Sequence, residues 1–484
     1  MPQEAPVKTV ALWPGLHEAR SRVAELQTKL HRWAVADGGC RFDDLFNLVC
    51  DPAFLRISWD RVASNKGARS AGVDGKTAGS IERSIGVQAF LEDLRSRLKE
   101  KSFSPSPVRE KMIPKANGKL RRLGIPTVED RVVQGALKLV LEPIFEADFK
   151  PCSYGFRPRR RAHDAIAEIR FLASCSYEWV LEADVEACFD NISHSFLMDR
   201  VRKRVGDKRV LRLVRKFLKA GILTELGMDK DTNTGTPQGG ILSPLLANIA
   251  LSALDEHFAG EYRQEMATSY QRKRRRRQGL GVWRICRYAD DFVILVSGSR
   301  AHAEALREVV AEVLAPIGLR LSEAKTSVCH IDEGFDFLGF RIQRKRKRGS
   351  DKRFVYTFAS EKSIANIRRK VKALTRRSTL GMIPGEVIHR LNQMMRGWAN
   401  YFKHAVVKHV FSKIGWYART RATRWLRERH KGRKRMTWKE FRRRYIVPVQ
   451  GLVVAGIRLF NPGTVPVTRY RYRGDTIPTP WVIP

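Results

Sequence analysis

The chain has 484 residues, of which 43% are hydrophobic and 9% aromatic, a composition that suits about three globular domains with real cores. Its 91 Lys and Arg residues outnumber its 50 Asp and Glu residues, which gives a formal net charge of +41. Solubility needs a net charge of only about 2–8 on a small domain. A charge of this size therefore indicates a polyanionic partner, with nucleic acid as the favoured one.

The seven cysteines stand singly, with no Cys-x-x-Cys pair. This spacing argues against a disulfide framework and against a zinc ribbon or a zinc-stabilised HNH nuclease module, and it favours reduced, intracellular thiols. No apolar run reaches the roughly 18 residues of a membrane span, and the first residues lack the basic-then-apolar pattern of a secretory signal. We therefore expect no membrane as a partner.

The first predicted element is an amphipathic helix over residues 16–33, with Leu16, Ala19, Val23, Leu26, Leu30 and Trp33 on one face. That stripe is most simply a packing face. A glycine-rich loop follows at 71–76, which alone is a weak signal because glycine pairs mark turns more often than phosphate-binding loops.

Residues 113–126 have the pattern of a β-hairpin, since two short apolar pieces flank the turn signal Asn117-Gly118. Lys115 and Arg121 straddle the turn, so both could project toward a phosphate chain. A solvated basic hairpin is an equally good interpretation of the residues alone.

A strand-like segment over 179–184 ends at Asp184, and a glycine-rich loop at 235–240 carries Gln238. Glycine leaves little backbone bulk near a ligand, so this loop could present the Gln238 side chain to one. A buried helix is predicted next, with Ser243 as its N-cap and Pro244 at its first position. The basic run 272–277 beyond it is expected to be a mobile loop that touches phosphates or a solvated insertion.

The segment Tyr288-Ala289-Asp290-Asp291 lies between two apolar runs and predicts a hairpin with two carboxylates at its tip. Together with Asp184 at another strand end, these acids could hold two Mg²⁺ ions about 3.5–4 Å apart, as in-line phosphoryl transfer requires. Taken alone, the four residues 288–291 are more simply interpreted as an ordinary surface turn, because Asp is common in turns.

From about residue 360 to 432 the pattern is helical. Between Phe411 and Arg444 there are 14 Lys and Arg residues against two Glu, interleaved with Trp and Tyr, which suits structured RNA through phosphate contacts and stacking. The tail 467–473 alternates Arg with Tyr, as in a strand with one basic face, although an ordinary exposed edge strand has the same pattern.

In order along the chain, several segments resemble the sequence blocks of reverse transcriptases, and of group II intron-encoded reverse transcriptase/maturases in particular. The segments are 115–126, 124–131, 153–158, 184–191, 235–248, 288–291, 318–325 and 337–340, and residues 396–402 resemble the maturase (X, or thumb) signature. Most of the resemblance is carried by 124–131, 153–158 and 235–248. The resemblance covers about residues 50–484.

The resemblance implies an α+β fold: a right-hand polymerase with fingers and an antiparallel palm sheet, followed by an α-helical thumb or maturase X domain. It divides the chain into an N-terminal helical extension (1–70), fingers and palm (71–345), the helical thumb (355–445) and a basic C-terminal tail (446–484).

The same resemblance assigns roles to individual residues. It identifies Asp184, Asp290 and Asp291 as the catalytic and metal-binding carboxylates, with Asp184 and Asp290 the better ligands for two Mg²⁺ ions, for which Mn²⁺ could substitute. The nucleotide-binding residues it implies are Lys115, Arg121, Val185, Phe189, Gln238 and Tyr288. A ring without a hydroxyl at Phe189 should clash with a 2′-hydroxyl and favour dNTPs.

Two further groups are implied. The primer grip would be Phe337, Leu338, Gly339 and Phe340. The RNA-binding residues would be Arg272, Lys273, Arg274, Arg275, Arg396, Trp398, Arg433, Lys434 and Arg435. The expected partners are the group II intron RNA, target DNA, a primer–template duplex and dNTPs, in the cytoplasm of a bacterium and at its nucleoid through nucleic acid.

The absence of cysteine pairs departs from family members that end in an HNH endonuclease, so second-strand cleavage is not expected and mobility would need another source of primer. The expected function is RNA-directed DNA polymerase, maturase for splicing and agent of intron mobility. Two alternatives stay open: a non-catalytic RNA-binding splicing cofactor, and a domesticated, CRISPR-associated or defence reverse transcriptase.

Overall fold

The structure is a computed structural model that describes residues 13–114, 120–223, 229–230, 235, 239–430, 436–474 and 476–482. Helices and antiparallel sheets are mixed through the first two thirds of the chain, and helices dominate after residue 360. Among the described residues, no helix has the length and apolar character to cross a membrane.

The helices, in chain order, are α1 Leu16–Ala36, α2 Phe46–Val49, α3 Pro52–Ser64, α4 Ala78–Ser84, α5 Val87–Lys99, α6 Val128–Glu146, α7 Ala162–Ser174, α8 Cys188–Asn191, α9 His194–Arg202, α10 Lys208–Leu218, α11 Ser243–Glu261, α12 Ser269–Arg277, α13 Arg300–Leu314, α14 Glu361–Leu374, α15 Pro384–Phe402, α16 Lys408–Arg429 and α17 Trp438–Tyr445. A π-helical turn, Tyr262–Met266, follows α11 directly.

The strands are β1 Val108–Pro114, β2 Leu120–Ile125, β3 Trp179–Asp184, β4 Ile222–Leu223, β5 Asp229–Lys230, β6 Val282–Tyr288, β7 Asp291–Ser297, β8 Ser327–His330, β9 Phe335–Phe337, β10 Phe340–Arg346, β11 Arg353–Ala359, β12 Ile446–Val447, β13 Gly451–Val454 and β14 Ile457–Arg458. They form four sheets, in the orders β2-β1-β4-β5, β6-β7-β3-β8, β11-β10-β9 and β12-β13-β14.

The chain divides into two compact units. The first contains residues 1–161, 181–328 and 474–484, and the second contains residues 162–180 and 329–473. The division into fingers, palm, thumb and tail stays a prediction.

Helix α6 is the centre of the first unit, and it is buried on nearly every side. Pro143 within it has no N–H, so the carbonyl of Leu139 four residues earlier loses its helical donor. Gln27 Nε2 of α1 donates to that carbonyl at 2.7 Å, and His31 Nδ1 lies 2.9 Å from the carbonyl oxygen of Pro143. Two buried polar residues of α1 therefore complete the hydrogen bonding of α6.

The predicted helix over 16–33 is confirmed, but its packing face differs from the predicted one. Trp33 is 50% exposed, whereas Gln27 and His31 are buried with Ala19, Val23 and Leu30. The apolar pattern missed the two polar residues because their burial depends on the carbonyl groups of α6.

Two other predicted elements are confirmed with small shifts. Strands β1 and β2 pair antiparallel, with Ile113 opposite Arg121, although β1 begins earlier, at Val108. Helix α11 is buried as predicted, but Ser243 is its first residue and Leu242 its N-cap.

The second unit packs α14, α15, α16 and α17 around one apolar cluster that includes Val387, Leu391, Trp425 and Phe441. Met395 is fully buried in this cluster, and Met394 packs against the cluster while remaining partly exposed. The helical region predicted from about 360 is confirmed.

The tail 467–473 is extended but forms no strand among the described residues, so the edge-strand prediction is wrong. Its alternation instead places aromatic side chains against α7: Tyr472 stacks on Phe171 with ring centroids 4.8 Å apart. Tyr470 Oη donates to Asp164 Oδ1 at 2.9 Å, and Arg473 donates to both carboxylate oxygens of Asp164.

Replacing Asp164 with Ala should therefore loosen the tail, because the change removes the three hydrogen bonds that the buried carboxylate accepts from Tyr470 and Arg473. We expect a loss of about 1–3 kcal/mol in the free energy of unfolding, measured by urea denaturation. Glu386→Ala, which removes an exposed ion pair with Arg390 on α15, is the matched control and should cost less than about 1 kcal/mol. Equal shifts for the two variants would contradict the docking of the tail through Asp164.

Candidate active site

The three candidate catalytic acids lie at the ends of neighbouring strands. Strand β3 ends at Asp184 and lies next to β7, which begins at Asp291. Tyr288 pairs with Asp291, so Ala289 and Asp290 form a two-residue turn between β6 and β7. Ala289 has a φ of 58°, the left-handed conformation that tight hairpin turns require. The predicted hairpin and the strand ending at Asp184 are both confirmed.

Burial and mutual repulsion raise the pKa of Asp291 to about 6. Burial is the larger cause, the charges of Asp290 and Asp184 add to it, and Lys325 opposes it. Burial and the same acids also raise the pKa of the Cys188 thiol to about 12. Three carboxylates therefore share a region that favours a cation.

Lys325 is the cation that the structure provides there, with its Nζ 2.6 Å from Asp184 Oδ2. The segment that carries it is fixed by the backbone, because Ser322 N donates to the carbonyl of Asp184 and Glu186 N to the carbonyl of Arg320, each at 2.9 Å. Residues 318–325 were part of the resemblance, but Lys325 had no predicted role. Lys325 lies 141 residues after Asp184 in the sequence, so no local pattern could predict the contact.

Directly before the acidic turn, Arg287 is fully buried, and all five of its N–H donors are used. Nε and Nη2 bind the two carboxylate oxygens of Asp255, at 2.8 and 2.5 Å. Nη1 donates to Asn248 Oδ1 and to the carbonyl of Ala289 in the turn itself, and Nη2 also donates to Ser153 Oγ. The network thereby ties the turn to helix α11.

Gly155 brings another segment against the same turn. A Cβ atom at this position would lie 2.3 Å from the backbone nitrogen of Ala289, so no side chain fits. Asn248 Nδ2 donates to the carbonyl of Gly155 at 2.8 Å, and Tyr154 N donates to the carbonyl of Arg287 at 2.9 Å. The segment 153–158, which the resemblance alone singled out in the sequence, thus supports the acidic turn through these backbone contacts.

The side chains present suit a hard divalent cation, because carboxylate oxygens are the donors that Mg²⁺ prefers. The raised pKa of Asp291 indicates a surplus of negative charge that such a cation would relieve. Within the described ranges, however, no three His, Cys, Asp or Glu side chains are already arranged as a ligand set. The residues thus fit a divalent cation by their chemistry and charge. In this structure the positive charge beside Asp184 is that of Lys325.

Three of the predicted nucleotide-binding residues lie close to the acids in sequence: Val185 follows Asp184, Phe189 lies five residues after it, and Tyr288 pairs with Asp291. Val185 is buried directly after Asp184, Tyr288 is half-buried at the end of β6, and Phe189 is half-buried on α8. Gly235 packs against the backbone of Phe189, since a Cβ there would lie 2.6 Å from the Phe189 carbonyl oxygen. Arg121 lies on β2, and Lys115 and Gln238 are outside the described residues.

The predicted primer grip forms a tight turn between β9 and β10. Phe337 pairs with Phe340, and both Leu338 and Gly339 have positive φ. The two Phe side chains are buried in the second unit, while Tyr401 Oη donates to the carbonyl of Leu338 at 2.9 Å. Any contact with a primer would come from Leu338 and Gly339, and the primer-grip role stays a prediction.

The basic run 272–277 is helical, so its prediction as a loop is wrong. A capping box of Thr268 and Gln271 starts α12. Arg272 donates to the carbonyls of Met266 and Ala267, and Arg275 lies over the Trp283 ring, whereas Lys273 and Arg274 are exposed.

The remaining predicted RNA-binding residues belong to the second unit. Arg396 is exposed, with its guanidinium 5.3 Å from the centroid of the Phe460 ring. Trp398 is half-buried against Phe402 and Phe411, which favours a packing role. Arg433, Lys434 and Arg435 lie outside the described residues.

Two family models match the chain. Residues 113–342 match the family model of reverse transcriptase (RNA-dependent DNA polymerase), and residues 364–445 match that of the group II intron maturase-specific domain. The chain is 39% identical over 359 residues to Protein YkfC of Escherichia coli (strain K12), which covers 70% of this chain and 93% of that protein.

It is also 34% identical over 357 residues to the group II intron-encoded protein LtrA of Lactococcus lactis subsp. cremoris, covering 64% of this chain and 58% of LtrA. An uncharacterized 91 kDa protein in the cob intron of Schizosaccharomyces pombe is 30% identical over 402 residues, covering 72% of this chain and 49% of that protein. The chain thus spans about half of the length of these two longer relatives.

The crowding of the acids predicts a gain in stability when one charge is removed. Asp291→Asn should raise the free energy of unfolding by about 1–3 kcal/mol at about pH 7.5 without divalent cations. The raised pKa means that the folded chain binds this proton more tightly than the unfolded chain, so the stability of the wild type falls as pH rises from about 4 through about 6. The difference should therefore vanish below about pH 4.

Melting temperatures across this pH range measure the effect. Asp199→Asn, at an exposed acid on α9 paired with Arg202, is the matched control and should show no such pH-dependent gain. An Asp291→Asn variant no more stable than the wild type at any pH would contradict the electrostatic crowding.

Proposed function

The chain belongs to the group II intron reverse transcriptase/maturase family, a family of RNA-directed DNA polymerases, and we propose that it copies RNA into DNA at Asp184, Asp290 and Asp291. The observation that carries the proposal is the placement of the three acids on neighbouring strand ends, with a charge surplus that raises the pKa of Asp291 to about 6. We propose further that the chain binds its group II intron RNA, assists its splicing and supports intron mobility by target-primed reverse transcription.

Asp184 and Asp290 would hold two Mg²⁺ ions, with Asp291 in support and Mn²⁺ able to substitute. When bound, the ions supply activation of the primer 3′-hydroxyl and neutralisation of the charge that develops on the α-phosphate and pyrophosphate. LtrA and the Schizosaccharomyces pombe protein are both named for introns, and we propose that this chain binds intron RNA, target DNA, a primer–template duplex and dNTPs.

The protein's own contribution is to position these acids. Arg287 fixes the turn that presents Asp290, since it binds the carbonyl of Ala289 and is itself held by Asp255. Lys325 supplies a positive charge beside Asp184, which offsets part of the repulsion among the carboxylates. A rigid, preorganised set of charges is what phosphoryl transfer requires of a protein.

In the right-hand arrangement that we propose, the β6-β7-β3-β8 sheet would be the palm, the β1–β2 hairpin part of the fingers, and α14, α15 and α16 the thumb. The match of residues 364–445 to a maturase-specific domain supports the assignment of the helical region to intron RNA.

Asp290→Asn should abolish extension of a primer on an RNA template while leaving RNA affinity within about twofold of the wild type, since the change removes a metal-binding charge and keeps the side-chain size. Primer extension and filter binding measure the two effects. Asp199→Asn, which changes an exposed acid on α9, should extend primers as the wild type does. Normal extension by Asp290→Asn would refute the catalytic assignment. Absence of extension in the wild type itself, with RNA binding and splicing assistance retained, would favour the non-catalytic splicing cofactor.

Phe189→Val should increase incorporation of rNTPs relative to dNTPs by about tenfold or more, because the smaller side chain leaves space for a 2′-hydroxyl. Phe196→Val, at another half-buried Phe on the adjacent helix α9, is the matched control for lost packing. Incorporation ratios and melting curves of both variants separate the two roles. A lower melting temperature with unchanged selectivity would assign Phe189 to packing alone.

A further inference from the structure

Helices α16 and α17 border a groove of about 700 Å³ in the second unit. One wall is a face of α16 on which Trp416, Arg419, Thr423 and Arg427 follow at helical spacing, and Trp438 of α17 contributes to the lining. From Trp416 to Arg427 the groove runs about 16 Å along the helix axis. A stacked strand rises about 3.4 Å per nucleotide, so this length suits a segment of about four or five nucleotides.

The groove carries a surplus of positive charge. Arg377, Arg419, Arg424 and Arg427 line it, and the acid among its lining residues is Glu428, whose Oε1 lies 3.5 Å from Arg377 Nη2. Within the part of the chain that the structure describes, Arg419 and Arg424 are exposed and form no ion pair with a carboxylate. Exposed guanidinium groups with no protein acceptor are available to phosphates.

Two tryptophans in this charged groove expose large aromatic surfaces. Trp416 is 70% exposed and Trp438 is 45% exposed. Trp438 stacks on Phe441 with an interplanar angle of 5° and has the guanidinium groups of Arg427 and Arg442 over its ring, at 5.7 and 5.4 Å from the centroid. Trp438 is thus held in place by its neighbours, whereas Trp416 presents most of its surface to solvent.

We propose that this groove binds an unpaired segment of nucleic acid, with a nucleobase stacked on Trp416 and the flanking phosphates bound by Arg419 and Arg424. The inference rests on the proposed function only in taking nucleic acid as the partner. Planar aromatic surface between guanidinium groups is the combination that holds single strands, because each base offers a flat face and each phosphate a charge. The bases of a duplex are stacked on one another and offer no such face along its length.

The test uses the full chain and an oligouridylate that carries one 5-iodouridine, which photo-crosslinks to an aromatic ring in stacking contact. The same sequence as DNA, and the RNA annealed to its complement, are the parallel probes. We expect adducts on the peptide that contains Trp416 with a single strand and not with the duplex. RNA or DNA alone giving the adduct identifies which strand the groove takes, and either result supports the proposal.

Trp416→Ala should weaken binding of the single strand about tenfold, the loss of one stacked base, whereas Trp416→Phe should restore most of the affinity. Trp33→Ala, which removes a 50% exposed tryptophan of α1, is the matched control and should bind as the wild type does. Adducts confined to other peptides, or equal affinities for Trp416→Ala and Trp33→Ala, would overturn the proposal.

Primer extension on the same preparations separates this inference from the polymerase. An Asp290→Asn chain should crosslink at Trp416 with the yield of the wild type, since the two sites lie in different units. Crosslinking at Trp416 in a wild-type chain that fails to extend primers would refute the polymerase and support the groove. Extension without that crosslink would do the reverse.

Discussion

The fully buried ion pair between Arg287 and Asp255 is the interaction on which the site depends. Burying two charges costs several kcal/mol of desolvation per ion, and the cost is offset only when every donor and acceptor finds a partner. Arg287 meets that condition, since its five N–H groups reach Asp255, Asn248, Ser153 and the carbonyl of Ala289. The pair therefore does more than hold two elements together. It anchors the turn that carries Asp290 to helix α11, and the position of the helix thereby fixes the position of the turn.

The same network explains why segments far apart in sequence come together here. Helix α11 supplies Asn248 and Asp255, residues 153–155 supply a hydroxyl and a glycine, and β6 supplies the arginine. Loss of any one member would leave a buried polar group unsatisfied, which costs more than the bond itself contributes. The acids gain their crowded arrangement from this framework, and the crowding is destabilising in its own right. The hydrogen-bond network of Arg287 thus holds the acids in place against their mutual repulsion. Such a relation between a rigid framework and a reactive site is common.

The sequence predicted those features that are encoded locally. The hairpin around Asp290, the strand ending at Asp184, the β1–β2 pair and the buried helix α11 each have a period or a turn signal within about 20 residues. It could not predict features that depend on distant partners. Arg287 looks like an ordinary basic strand residue until Asp255 is placed opposite it, and Gln27 looks like a solvent-facing residue until Pro143 leaves the Leu139 carbonyl without a donor. The basic run on α12 was predicted to be a loop because its like charges repel one another. The structure has a helix there, which is stabilised by a capping box and by the contacts of Arg272 and Arg275.

Gln27 and His31 also connect α1 with residues near the other end of the sequence. Trp481 Nε1 lies 3.4 Å from Gln27 Oε1, and its ring packs against His31, whose Nε2 lies 3.1 Å from Thr479 Oγ1. The first compact unit is therefore discontinuous in sequence, because residues 329–473 of the second unit are inserted between its residues 328 and 474. On the ribosome, where chains emerge from the N-terminus, α1 and α6 can pair early, but Trp481 lies 454 residues after Gln27 and can contact it only much later. The unit that carries the acids is therefore completed only after residue 481 has been synthesised, so a chain that stops before this residue would lack the closing contact even with every acid in place.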